Sequence, residues 1–527
     1  MKVRHARFST IHPQDLISCL EKLNRLPRSR YSTYDSGKRC LPGTRHDILQ
    51  AVYDWINDKR PGNNILWLAG AAGTGKTTIT TTIAAQLEDE NSGLRRLGLG
   101  RLGATFFCRR DDITLHQPSL VFPTIAHRLA VSYPLLREGI LSAVKADPDV
   151  GRSSIANQFQ TLVLEPGSII PSDLYVLPVV IIIDAVDECG DISTREPLLR
   201  CLREARRLPV WFKLLVSSRP EHDIMKHLAG VSIMVNVELS GERSTSDIRK
   251  YVHHCVESLR TERRLDNEWP GDYKVDQLVS QSGGLFVWAV CAFRFISNHS
   301  SPSRALDYVL VSTGLPQLDQ LYRSILFQSL AEPENMRVVR SILGCVIVAS
   351  IPLSSRGIST LLDIEYPHVK WVTESLASVL IQDSHSVIRP IHPSFIDFLC
   401  DPRRSEEFFI DHDEHNLILA RGCLQQMNSK LCANICRLNN STLLNNEISD
   451  VVSRLDSYVP EELSYSCQYW AHHVPHVSNH DPDVLHLLQR FCNEHALHWM
   501  EAMSLLGRAK EVIQAFRFLQ SWLQVRH

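Results

Sequence analysis

Eight consecutive residues, Gly70-Ala71-Ala72-Gly73-Thr74-Gly75-Lys76-Thr77, have the types and the spacing that hold a polyphosphate. Glycines let successive backbone N–H groups turn toward one centre, and a helix opening directly after them adds the positive potential of its N-terminus. Lys76 is placed to reach the β- and γ-phosphates, and the Thr77 hydroxyl to take a position on Mg2+. Thr78 completes the set of expected nucleotide contacts. An apolar run, Ile65–Ala69, precedes the loop and a helical pattern, Lys76–Leu87, follows it. A chance glycine-rich turn would lack this strand–loop–helix setting.

Two further constellations belong with the loop. The β-branched run Val179–Ile183 reads as a buried strand ending in Asp184, followed by Ala185-Val186-Asp187-Glu188. A carboxylate at such a strand end is the expected holder of hydrated Mg2+, and either Asp187 or Glu188 could orient or deprotonate an attacking water. The run Phe212–Val216 is the next core strand, and Ser217-Ser218-Arg219-Pro220 closes it. Ligands of open α/β sheets bind outside the carboxyl ends of strands, where Arg219 would sense or neutralise a γ-phosphate. The pattern Gly98-Leu99-Gly100-Arg101-Leu102-Gly103 imitates a dinucleotide-binding loop, but it precedes a strand and opens no helix, so it reads as a loop.

The elements that must position these residues follow from periodicity. Thr44 and Asp47 resemble a capping box, and Ile48, Val52, Trp55 and Ile56 continue as one helix face to about Asp58. Ala104–Cys108 is another strand candidate, and Pro123 opens a helix through Leu129. Continuous apolar strands separated by helices predict a parallel sheet covered on both faces. Beyond about residue 235 helical periodicity dominates: Ser246–Glu257, Val275–Gln281, Leu285–Ser297 and Leu318–Leu330. Residues 336–405 carry two helical patterns, the second around Trp371–Ile381, then a strand Val387–Ile391 and a helix from Pro393, an order compatible with a winged helix. In the tail, Val484, Leu487, Leu488 and Phe491 share one face, as do Ile513, Phe516, Trp522 and Leu523.

Composition sets the frame. The 527 residues are 44% apolar and 22% charged, ordinary for a globular chain of several domains. Lys+Arg is 56 against Asp+Glu 58, which argues against a broad surface gripping nucleic acid or anionic lipid. The apolar runs Val179–Ile183, Leu285–Ile296 and Ile342–Leu353 are too short or too interrupted to span a bilayer, and no apolar stretch backs the basic N-terminus, so a cytoplasmic location is expected. The 14 cysteines lack paired ligand spacing; Cys423, Cys432 and Cys436 read as helical core residues.

Taken together, the residues resemble a NACHT-type NTPase of the STAND signal-transduction class in its fungal form, with a nucleotide module similar to that of nephrocystin-like proteins. The resemblance runs from about Cys40 to the C-terminus. It rests on Cys40-Leu41-Pro42-Gly43-Thr44-Arg45, the glycine loop, Asp184–Glu188, Ser217–Pro220, Ser282-Gly283-Gly284-Leu285-Phe286, Leu318–Leu326 and Ile391-His392-Pro393-Ser394-Phe395-Ile396-Asp397-Phe398-Leu399. It implies an α/β P-loop NTPase domain with helices on both faces of its sheet, followed by helical, winged-helix-like and C-terminal α-helical domains. It implies ATP and ADP as the nucleotides, and His392 as a winged-helix histidine set against the ADP β-phosphate. Many relatives carry Gly-Leu-Pro where this chain has Gly284-Leu285-Phe286, which removes the proline that packs on adenine.

The expected organisation is a flexible segment 1–39, a lead-in helix 40–62, the NTPase domain 63–234, a helical domain 235–330, a winged-helix-like domain 331–405 and a helical domain 406–527. The implied role is a fungal, innate-immunity-like switch: ADP holds a closed monomer, ATP opens it to self-association, and slow hydrolysis resets it, with Lys76, Asp187, Glu188 and Arg219 as the catalytic set. Fungal members often carry an effector before the module and repeats after it. Sensor and effector functions are therefore expected from protein partners, or from parts of a longer gene product. Three other readings stand beside the switch: a non-hydrolysing nucleotide scaffold, a P-loop kinase of small molecules, and a DNA-reading winged helix. The neutral charge disfavours the last, and the large helical portion disfavours the kinase.

Overall fold

In the computed structural model, residues 23–24, 26–29, 33–89, 100–170, 177–237, 242–311, 317–329, 336–383, 386–439, 445, 448, 450–477 and 481–524 are described. The chain divides into two units, Met1–Ala289 and Val290–His527.

The first unit is built on five strands: β1 (Ile65–Gly70), β2 (Arg101–Phe107), β3 (Val179–Asp184), β4 (Phe212–Ser218) and β5 (Ile233–Val237). All neighbours are parallel and the order is β2-β3-β4-β1-β5. β4 thus lies between the strand that feeds the glycine loop and the strand that ends in Asp184. Strand side chains alternate faces, and here each face has its own core. Ile65, Trp67, Ile181, Ile183, Leu214 and Val216 share one cluster with α3 (Val121–Ser132), α4 (Pro134–Ala146) and α5 (Ile192–Glu204). Leu66, Leu68, Val180, Ile182 and Leu215 share the other with α1 (His46–Asn57) and α2 (Lys76–Glu88). Full burial of one such side chain contributes about 1.5–3 kcal/mol, which is why these runs read as continuously apolar.

After β4 come α6 (His222–Leu228), β5, α7 (Glu242–Arg263), α8 (Asp272–Gln281) and α9 (Phe286–Asn298), whose first turn belongs to this unit. In the second unit, α10 (Pro302–Val311) and α11 (Gln317–Ser329) precede three helices, α12 (Met336–Val348), α13 (Ser355–Leu362) and α14 (Tyr366–Ser375). β6 (Leu380–Gln382) and β7 (Ile388–Pro390) then form an antiparallel hairpin before α15 (Pro393–Leu399). The tail is helical: α16 (His412–Lys430), α17 (Glu461–His473), α18 (Pro482–Arg490), α19 (Ala496–Leu505) and α20 (Ala509–Gln524). Trp470, Phe491, Trp499 and Phe516 make its aromatic centre, with ring centroids 5.1–5.8 Å apart.

Several expectations are corrected here. No capping box opens α1: the Thr44 hydroxyl donates back to the Leu41 carbonyl, and the cap residue is Arg45 in a left-handed conformation. The sheet continues past residue 234 through β5, an edge strand whose alternating exposure gave no solid apolar run. Arg101, Leu102 and Gly103 belong to β2 rather than to a loop, while Gly98 and Leu99 lie outside the described residues. The helix around Trp371 ends at Ser375, and Leu380–Ile381 is strand; a short apolar run reads either way by periodicity. The helix Pro302–Val311 had no counterpart in the reading. Ile513 is 59% exposed, since α20 turns Ala515, Leu519 and Trp522 inward, and Cys432 is exposed rather than in the core.

Candidate functional site

The glycine loop leaves β1 at Gly70 and enters α2 at Lys76. Gly73 and Gly75 have φ of +77° and +90°, the left-handed region that side chains avoid. Gly73 also lies under the start of α9: a Cβ there would fall 2.4 Å from Val287 Cγ1. Thr74 is buried and its hydroxyl donates to Ala71 O at 2.9 Å, tightening the turn. Ala71 is exposed and Ala72 half-buried at its tip. Lys76 Nζ donates to Gly70 O at 2.7 Å and Ala71 O at 2.9 Å, across the mouth of the loop. Burial lowers its pKa, against the pull of Asp187 and Asp184. Thr78, half-buried in the first turn of α2, offers its carbonyl to the Thr82 hydroxyl.

Asp184, 1% exposed at the end of β3, is the hub of a hydroxyl cluster. Its Oδ2 accepts from Thr77 Oγ1 at 2.7 Å, and its Oδ1 from Thr80 Oγ1 at 2.8 Å and from Ser217 Oγ. The Ser217 hydroxyl in turn accepts from Ala185 N at 2.9 Å, and Ala185 is left-handed at φ +55°. Such a strained turn after a buried strand is retained where the surroundings over-determine it. Burial raises the Asp184 pKa against these three donors. Thr80 and Ser217 were not assigned roles from sequence. Thr80 follows Thr77 by three residues on one helix face, and Ser217 sits on β4, whose place between β1 and β3 only the sheet order reveals.

Asp187 and Glu188 separate in role. The Asp187 carboxylate is buried and takes Arg219 twice, from its backbone N at 3.0 Å and from Nε at 3.1 Å. It therefore anchors Arg219. Glu188 is half-buried, and its pKa is pushed up to about 8, by burial first and then by the Asp187 charge. His116 Nδ1 donates to its carbonyl at 2.6 Å. The structure thus brings Lys76, Thr77, Asp184, Asp187, Glu188 and Arg219 to one edge of the sheet. Thr77 and Asp184 are hard oxygen donors facing each other at 2.7 Å, a set that fits Mg2+. The left-handed glycines fit a cradle for phosphate.

Arg45, in the lead-in segment, ties several elements together. It is buried, donates to Thr74 O at 2.7 Å, and stacks over Phe286 at 4.7 Å; its backbone N reaches Asp247 Oδ2 at 3.0 Å. The lead-in, the glycine loop, α7 and the Gly284-Leu285-Phe286 segment thus meet on one arginine, α7 through its backbone N and the other two through its guanidinium. His392 belongs to the second unit, where it caps α15. Its Nδ1 accepts from Ser394 N at 3.1 Å, which leaves the ring proton of the neutral form on Nε2. Ser394 Oγ lies 2.8 Å from Nδ1 and 2.9 Å from the Tyr322 hydroxyl.

A parallel sheet with a glycine loop after its interior strand β1, a hydroxyl-bound aspartate at the end of β3 and helices on both faces defines a P-loop NTPase domain. Residues 43–219 match the family model described as Nephrocystin 3, N-terminal. The chain is 26% identical to vegetative incompatibility protein HET-E-1 of Podospora anserina over 528 residues, 92% of this chain and 37% of that protein, so it spans little more than a third of that curated relative. Among solved structures, a STAND protein with a tetratricopeptide repeat sensor from Pyrococcus horikoshii aligns at TM-score 0.39 and 14% identity over 95% of this chain and 64% of that one. A Walker-type ATPase of Pyrococcus abyssi aligns at TM-score 0.32 and 12% identity, over 71% and 99%. By these matches the chain is similar to the NACHT/STAND P-loop NTPases. Among the described residues no helix is long and apolar enough to cross a membrane.

Proposed function

We propose that this protein is a nucleotide-operated switch that binds ATP and ADP, hydrolyses ATP slowly and self-associates in its ATP form. The observation that carries the reading is the convergence of Lys76, the Thr77–Asp184 pair and the Asp187-anchored Arg219 at one sheet edge. Thr77 and Asp184 would hold Mg2+, which when bound offsets phosphate charge. Lys76 would exchange its two loop carbonyls for phosphate oxygens. Glu188, with a pKa near 8, would take a proton from water only as it ionises, which suits slow turnover. Arg219 would distinguish a third phosphate from its absence.

The three helices α12–α14 and the β6–β7 hairpin support a winged-helix reading of the region before α15. A neutral His392 with its proton on Nε2 suits a donor to a diphosphate. Sensor and effector functions would come from protein partners, in a cytoplasmic setting. By likeness to the vegetative incompatibility protein, the signalling would be of that kind.

The test is to purify the chain without added nucleotide, denature it, and run the released material on anion-exchange chromatography. Near-stoichiometric ADP is expected, and Lys76→Ala should lose it. Retained nucleotide in Lys76→Ala equal to wild type would remove the base of the reading.

A further inference from the structure

Arg195 occupies the first turn of α5, and its side chain is 2% exposed. Both facts work against it. A cation in a first turn meets the positive end of the helix dipole, and burying a guanidinium strips its water. The structure shows what offsets them. Nε and Nη2 donate to Asp223 Oδ2 at 3.0 and 2.8 Å, Nη2 to Glu221 Oε2 at 2.7 Å, and Nη1 to the Asp187 carbonyl at 2.7 Å. A well-packed apolar side chain would fill the same space without desolvating a charge. Buried charges that break a local rule concentrate at functional sites.

The partners are informative. Asp187 is the residue whose carboxylate takes both Arg219 N and Nε. Glu221 and Asp223 lie two and four residues beyond Arg219, at the N-terminus of α6. Arg195 therefore grips the segment on each side of Arg219: the loop that anchors it and the chain that leaves it. We propose that Arg195 is a positioning residue that sets the reach of Arg219 toward a third phosphate. This rests on the reading of Arg219 as the residue that tells ATP from ADP.

The experiment uses the full chain and fluorescent analogues of ADP and of a non-hydrolysable ATP. Arg219→Ala should weaken the ATP analogue about tenfold, as loss of one charge-assisted hydrogen bond would, and leave ADP affinity unchanged. Arg195→Met should reproduce that selective loss, Arg195→Lys should recover part of it, and Arg195→Met combined with Arg219→Ala should be no worse than Arg219→Ala alone. Equal losses for both nucleotides, or a fully additive double variant, would overturn the role of Arg195. Unchanged discrimination in Arg219→Ala would overturn the reading beneath it, and the proposal with it. Thermal melts accompany each variant. If Arg195→Met does not fold, Asp223→Asn, at a partly exposed carboxylate, keeps an acceptor oxygen but removes one of the two negative charges paired with Arg195. It should give a smaller loss in the same direction, and an effect on ADP alone would refute the proposal.

Discussion

The glycine loop offers a perturbation whose size follows from its backbone conformation and its neighbours. Gly73→Ala faces two penalties. At φ +77° an L side chain is strained by about 1–2 kcal/mol. The new methyl would also meet Val287 Cγ1 at 2.4 Å and Leu285 Cδ2 at 3.4 Å, an overpacking worth about 1–3 kcal/mol. The sum is about 2–5 kcal/mol, a loss large enough to unseat the loop from α9. Gly75→Ala pays only the first penalty, since nothing lies within 4 Å of its Cβ position, so about 1–2 kcal/mol is expected. Urea unfolding followed by tryptophan fluorescence reads stability, and fluorescent ADP titration reads the site. Val287→Ala should rescue part of Gly73→Ala and none of Gly75→Ala, with a coupling of about 1–3 kcal/mol in the first double-mutant cycle. Equal losses at the two glycines, or no coupling to Val287, would refute the claim that the loop is braced by the start of α9.

Three more outcomes follow from the same geometry. Arg45→Ala should destabilise the first unit by about 1.5–3 kcal/mol through the lost bond to Thr74 O, and Arg45→Lys should not restore it, because Lys has no planar fork to stack on Phe286; urea unfolding checks both. Glu188 keeps its proton to about pH 8 in the fold against an ordinary value of 4.5, so it makes stability fall as pH rises between those values; Glu188→Gln should flatten that slope in melting temperatures taken from pH 5 to 9. In the second unit, His473 is buried between the Tyr465 hydroxyl at 2.8 Å and Asn416 Oδ1 at 2.7 Å, and burial depresses its pKa to about 3. Its contribution is present above pH 6.5 and is lost as pH falls toward 3, while His473→Ala should cost about 2–4 kcal/mol at neutral pH and weaken that acid dependence in pH-jump unfolding.

Much of the candidate site was legible in the chain. The glycine loop, the β-branched run into Asp184 and the run into Arg219 are local signals, because a phosphate cradle needs contiguous glycines and a buried strand needs contiguous apolar residues. Elements without such runs were lost or misplaced. β5 alternates between buried and exposed positions, and Leu380–Ile381 is too short to announce a hairpin. The Thr44–Asp47 pair had the spacing of a capping box, yet Thr44 bonds its own turn. A local pattern permits such a bond without choosing it.

The order of residues therefore sets the chemistry on offer: a lysine, a threonine, three acids and an arginine, each beside the end of an element. Tertiary structure alone decided which of them meet. Placing β4 between β1 and β3 puts the Ser217 hydroxyl on Asp184. Packing α5 against α6 puts Arg195 between the Asp187 carbonyl, Glu221 and Asp223, while burial and the neighbouring Asp187 charge raise the Glu188 pKa. Strand order and burial are properties of long-range contacts, and a carboxylate's partners and proton affinity follow from them.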